Sequence, residues 1–365
     1  MKVSLPAMRG QMGGRTYYAT LVKLNAIPMM FKFTDWAGAM PEDREQRVLN
    51  QKRIPDIASY ITENEDGYIF ASITASYKCE VDFKAMGDEG LGSLLFDLQS
   101  AQFVINDGQH RCAAIAEAIK DNPELGEEVI SVLLFPYESR GRVQQMFSDL
   151  NRFVKKTSKS LDILYDKRDK ISAATLASLD QVPVFRDLTD KDSMSLKAKS
   201  TKLFTLAALY DANRELLKGR EDEDIIANAE MLNKYWSVVA QNMPDWSSVL
   251  SHHKEAGELR AEKIASHSTV LRALGGLGLE LMKDDNWRER LASLQDIDWS
   301  KKNPDWENIC IVANSVVSNR QARSATKAYI KHKLGMSLSD AELRSIGKTP
   351  PCIEEKLGFA SEGAL

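Results

Sequence analysis

The run Phe103-Val104-Ile105-Asn106-Asp107-Gly108-Gln109-His110-Arg111 passes at once into the Ala-rich segment Ala113–Ile119. An apolar, β-branched stretch is followed by a short polar turn with glycine at its centre, and then by a strong helix former. This dictates a strand, a tight turn and a helix with almost no linker between them. Such a turn gathers the unpaired N–H groups and the positive end of the helix at one point. Gly108 there permits close backbone approach, and Arg111 can fork onto oxygens. The segment therefore predicts an α/β arrangement and a seat for a phosphate.

The rest of the chain sets bounds on that reading. Its 365 residues are 43% hydrophobic, enough for a sizeable core and for one large or two modest domains. No apolar run approaches the roughly 20 residues that span a bilayer. The start, Met1 to Ala7, lacks the pattern of a signal peptide, so cytoplasmic residence without membrane contact is expected. Cys79, Cys112, Cys310 and Cys352 are scattered, with no C-x-x-C and no histidine at ligand spacing, so no disulfide framework or metal site is expected. Cys112 reads as a small buried helix residue, or as a thiol activated at a helix start. The net charge of −4 means that any contact with nucleic acid must come from local patches.

Along the chain, residues 1–35 read as strand-rich and 41–63 as two helical pieces, the second with Pro55 in its first turn. Strands are expected around Ile69–Ile73, Lys78–Phe83 and Val129–Phe135, a loop over Gly87–Gly92, and a helix from about Arg140 to Phe153. Residues 1–156 thus read as an α/β domain and 157–365 as a mainly helical one, with a charge-rich connection over Arg214–Asp224. Gly275, Gly276 and Gly278 lie in an apolar helical stretch, where they suggest close helix packing. Neither they nor Gly90-Leu91-Gly92-Ser93 meet the spacing of a dinucleotide or P-loop motif. The tryptophans from Trp236 to Trp306 read as packing anchors, and His252-His253 as a solvent-facing loop.

The turn Asp107-Gly108-Gln109-His110-Arg111, with its strand and helix, resembles the signature of DGQHR-domain proteins, and the chain as a whole resembles the DndB family of the bacterial DNA phosphorothioation (dnd) system. Gly10-Gln11-x-Gly13, the segment from Gln46-Arg47 to Tyr60-Ile61, and Phe147-x-x-Leu150-Asn151 followed by Lys155-Lys156-x-Ser158 also fit. More distantly, strand, Gly-x-x-Arg turn and helix resemble the ParB/sulfiredoxin fold, where the equivalent turn holds nucleotide phosphates. The resemblance implies an α/β domain of that fold with a phosphate or nucleotide site at Gly108, Gln109, His110 and Arg111, to which Arg53 and Asn151 add. ATP or CTP with Mg2+ are the ligands that it suggests. It also implies binding of promoter DNA and repression of the modification operon, with other dnd-system proteins and a second copy of the chain as further partners. The sulfiredoxin reaction needs a cysteine in the turn, and Cys112 stands one place late.

Two basic stretches suit DNA. Residues 151–170 carry seven basic side chains against three aspartates, Lys155 and Lys156 among them; residues 311–335 carry Arg320, Arg323, Lys327, Lys331 and Lys333 with no acid. Arg320, Arg323, Lys327 and Lys331 recur at three and four residues, which predicts one basic helix face suited to phosphate backbones. Both stretches also read as ordinary solvated faces. No helix-turn-helix and no carboxylate cluster of a two-metal nuclease is evident. Three readings stay open: a DNA-binding regulator; a nucleotide hydrolase or DNA-nicking enzyme with His110 and Asp107 as catalytic groups; and an adaptor in which Asp107 caps the helix and Arg111 merely pairs with a carboxylate.

Overall fold

Alternating exposure along the first two strands builds the N-terminal sheet. β1 (Lys2–Met12) and β2 (Arg15–Lys23) pair antiparallel, Met12 opposite Arg15, through a Gly13-Gly14 turn. The computed structural model describes residues 2–32, 40, 44, 48–87, 90–152, 157–221, 223–313 and 315–347. The chain divides into two compact units, Met1–Lys155 and Lys156–Leu365.

In the first unit α1 (Ile27–Met30), α2 (Ile54–Thr62), β3 (Ile73–Lys78), β4 (Asp82–Ala85), β5 (Leu91–Asp97), β6 (Gln102–Asp107), α3 (Gln109–Asp121), β7 (Val129–Pro136) and α4 (Arg140–Arg152) follow. The seven strands form one mixed sheet in the order β4-β5-β1-β2-β7-β3-β6, in which only β3 and β7 run parallel. The α/β expectation holds in this coarse sense, with a mostly antiparallel sheet.

That sheet is forced to curl. β3 stands five strand spacings from β4, about 24 Å in a flat sheet. Yet only residues 79–81 join them, a span of at most about 14 Å. Tyr18 of β2 accordingly has the rings of Tyr77 on β3 and Phe83 on β4 at 6.3 and 5.5 Å. One face buries Val22, Ile73, Ile105 and Val132 against Ile61 of α2 and Ile115 of α3. Alternation turns Val104 and Asn106 of β6 the other way, toward α4, whose Val143 and Met146 are buried.

Three expectations need correction here. The strand expected at 69–73 starts only at Ile73, with Ile69 81% exposed, and it runs through Lys78; the next begins at Asp82. The loop expected over Gly87–Gly92 ends earlier, because Leu91–Asp97 is a strand that the glycines concealed. Gly92 serves close approach instead of a turn: a Cβ there would strike the Lys84 carbonyl of β4. The connection expected over Arg214–Asp224 is shorter, since helix continues to Leu216. The helical piece expected before Gln51, and the stretch at 153–156, lie largely or wholly outside the described residues.

The second unit is helical: α5 (Lys159–Tyr165), α6 (Lys170–Leu179), α7 (Pro183–Leu188), α8 (Leu206–Leu216), α9 (Ile225–Gln241), α10 (Pro244–Leu250), α11 (Ala256–Glu262), α12 (Ser268–Leu281), α13 (Trp287–Ala292), α14 (Arg320–Lys333) and α15 (Asp340–Ser345). Strands here are two-residue pairs only, among the described residues. The tryptophans anchor the core, with Trp236, Trp246 and Trp306 fully buried. Gly275 and Gly278 let α12 approach α8 closely: a Cβ on Gly275 would collide with the Ala212 carbonyl, and one on Gly278 with the Leu216 side chain. α12 in turn carries α14 on another side.

Candidate functional site

β6 ends at Asp107, and Gly108 turns the chain with φ +104°, ψ +11°, a left-handed conformation that side-chain-bearing residues resist. A Cβ at Gly108 would also sit 3.2 Å from both Arg111 Nη2 and Ile73 Cγ1. α3 starts directly afterwards, its first-turn N–H groups lying ahead of any helical carbonyl and taken up by no N-cap side chain. Asp107 does not cap the helix. Its carboxylate accepts from Arg111 Nη2 at 2.6 Å, while Arg111 Nη1 donates to the Ala71 carbonyl at 2.8 Å. The Arg111 side chain is largely buried by this clasp, so it pins the turn to the segment before β3.

The turn forms one side of a cavity of about 420 Å3, and Gly108, Gln109, His110, Arg111, Arg53 and Asn151 all line it. The fold thus brings the six expected residues together from three separate segments. His110 explains part of that convergence. Its Nε2 accepts the Asn50 backbone N–H at 3.1 Å, and Asn50 Oδ1 in turn accepts from Lys52 N at 3.2 Å, capping the 3-10 turn Gln51–Arg53. Arg53 is exposed at the cavity and makes no ion pair among the described residues. Asn151 Nδ2 donates to the Phe147 carbonyl at 2.8 Å.

Six further lining residues, Asp56 and Ile57 among them, were not expected at the site from the sequence. Tyr60 and Phe70, with ring centroids 5.8 Å apart, and Phe147 form an apolar wall. Asn106 lies beneath the turn and is 2% exposed. Its Oδ1 accepts from Ser76 Oγ at 3.0 Å, but its Nδ2 has no hydrogen-bond partner among the described residues. A polar residue among the apolar positions of a strand was the available signal.

Cys112 is buried, and burial pushes its thiol up to about 12, so the buried-residue reading holds and the thiolate is not available at neutral pH. Among the described residues, no three His, Cys, Asp or Glu side chains are grouped as metal ligands.

In the second unit, Asn319 Oδ1 caps α14 by accepting from Ala322 N at 2.8 Å. Arg320 is exposed, Arg323 and Lys327 are half-buried, and none of the three forms an ion pair among the described residues. The expected fourth member of the face requires correction. Lys331 is 7% exposed, its Nζ held 2.6 Å from Glu280 and 3.4 Å from Glu342. Burial opposes its charge, but the two carboxylates prevail and raise its pKa. The ridge of small and apolar residues Ala325, Ala328 and Tyr329 tips this end of α14 into the core. Lys155 and Lys156 lie outside the described residues. In the other basic stretch Lys159 is paired with Asp211 at 2.5 Å and Arg168 stands 3.6 Å from Asp166.

Fold and site define a protein with a curled mixed-sheet unit, bearing a strand-turn-helix pocket, and a helical unit with a partly basic helix. The chain belongs to the DndB family, described as DNA-sulfur modification-associated, whose family model matches residues 5–337. No curated protein matches the chain, and no solved structure does. No helix among the described residues is long and apolar enough to cross a membrane.

Proposed function

We propose that this member of a DNA-sulfur-modification family is a DNA-binding regulator that represses the modification operon by binding its promoter. Its turn pocket serves as a phosphate site through which a nucleotide modulates that binding. The observation that carries the DNA reading is the α14 face: Arg320, Arg323 and Lys327, one turn apart and without a carboxylate partner among the described residues, in a 25-residue stretch free of acid. Three such cations in an acidic chain suit a phosphate backbone and give salt-sensitive binding. His110 and Asp107 are engaged in holding the Asn50 turn and Arg111, which favours a binding role over a catalytic one.

The test is a gel shift on the chain's own upstream promoter fragment against a scrambled duplex, over a salt series, with and without ATP or CTP. Replacing Arg320, Arg323 and Lys327 by alanine is expected to weaken binding and lower the log–log salt slope by about two to three. Unchanged affinity and slope would leave the adaptor reading in its place.

A further inference from the structure

We infer that the pocket is a nucleoside-phosphate site in which Asn106 reads the ligand, Arg53 and the turn amides hold its phosphate, and Arg111 acts only as a positioning residue. This rests on the nucleotide reading of the turn pocket and assigns its working residues. Three independent observations converge on it.

The first is the unmet donor. Asn106 is almost wholly buried, yet among the described residues Nδ2 has no partner. Exchanging the amide's oxygen and nitrogen does not help, because the single Ser76 hydroxyl satisfies one arm in either orientation. A buried donor left open is destabilising, because it has lost its water without gaining a protein partner. Such a cost is expected where a ligand supplies the missing acceptor.

The second is the division of labour among the cations. Arg111 has Nη1 on Ala71 and Nη2 on Asp107, so its charge is already neutralised and its fork committed. Arg53 is the cation at this cavity with no ion pair among the described residues, and its turn is fastened by His110. Asp56 lines the same cavity and offsets part of that charge, so a ligand must be gripped by hydrogen bonds as well as by charge.

The third is shape. A phosphate at the helix start faces the apolar wall of Tyr60, Phe70 and Phe147, which suits a nucleoside. A cavity of about 420 Å3 is of small-molecule size. A group must enter it to reach Asn106, which is 2% exposed.

Calorimetry on the full chain tests this, with ATP, CTP, inorganic phosphate and a duplex oligonucleotide as probes. ATP or CTP is expected to bind, inorganic phosphate more weakly. The double variant Ser76→Ala with Asn106→Leu is expected to lose about tenfold or more in nucleotide affinity. It should melt no lower than the parent, since an unpaired polar group has been removed together with its neighbour. Arg53→Ala, at an exposed position, is expected to weaken binding without altering the melting temperature.

Unchanged nucleotide affinity in either variant overturns the corresponding assignment. A double variant that fails to fold also overturns the role of Asn106, because it would show that the fold depends on that amide. Displacement of the nucleotide by duplex would transfer the pocket to DNA. Absence of binding by nucleotide and phosphate alike removes the phosphate site itself, while the promoter gel shift stands or falls separately.

Discussion

Gly275 and Gly276 are adjacent in α12, yet their replacement by alanine is expected to change stability in opposite directions. In a helix interior the change gains about 1 kcal/mol from lower backbone entropy in the unfolded chain. At Gly276 a Cβ would meet Lys327 Cδ at 3.6 Å and Glu215 Cβ at 3.9 Å, ordinary contacts, so the gain is kept. At Gly275 it would overlap the Ala212 carbonyl oxygen, with the carbonyl carbon at 2.9 Å and Cα at 3.2 Å. These are backbone atoms of α8, so no rotamer change relieves the clash and the helices must move apart. Overpacking of this kind costs about 1–3 kcal/mol or more, and backbone on backbone belongs near the upper end. The net loss is then about 2 kcal/mol. For a unit of about 210 residues, this lowers the midpoint by about 4–8 °C, whereas Gly276→Ala raises it by about 2–4 °C. Thermal melts followed by circular dichroism read both. Equal signs for the two variants, or a Gly275→Ala protein as stable as the parent, would refute the packing of α8 on α12.

His267 caps α12 by accepting the Thr269 N–H on Nδ1 at 3.2 Å; its burial, and then Lys301, hold its pKa below the usual 6.5. A depressed histidine pKa stabilises the fold above pH 6.5 and the contribution fades as pH falls through the folded value. The melting temperature should therefore drop between pH 7 and 5, and His267→Asn, which retains a capping oxygen, should flatten that slope; an unchanged slope would count against the cap. Lys331→Ala leaves Glu280 and Glu342 without their shared cation, and a loss of about 1–3 kcal/mol is expected because both carboxylates keep some solvent. DNA affinity should stay unchanged in that variant, and weaker DNA binding at unaltered stability would return Lys331 to the basic face.

The strand, turn and helix around Asp107–Arg111 were legible because the signals are local: β-branched residues, then glycine where φ must be positive, then alanines. The same holds for the helical stretches at Ile54, Arg140, Ser268 and Arg320, whose apolar or basic residues recur at helical spacing within each segment. Strand β5 was hidden because its start at Leu91 reads as loop: Gly87, Gly90 and Gly92 resemble a turn cluster, while Gly92 is required by the nearby β4 backbone.

Sequence by itself determined where the polar and basic side chains stand along the chain and which of them recur at helical spacing. Tertiary structure alone decided what each of them is left to do. Helical spacing placed Lys331 on the basic stripe, but Glu280 and Glu342 arrive from α12 and α15 and claim it. Arg111 looked like the anion fork, but the carbonyl of Ala71, forty residues away, occupies it. Asn106, given no role by the sequence, is stripped of water by folding and left with Nδ2 unmatched among the described residues. The reason is common to all three: a side chain's charge and donors are fixed by its covalent structure, whereas burial and partners are supplied by segments distant in the chain.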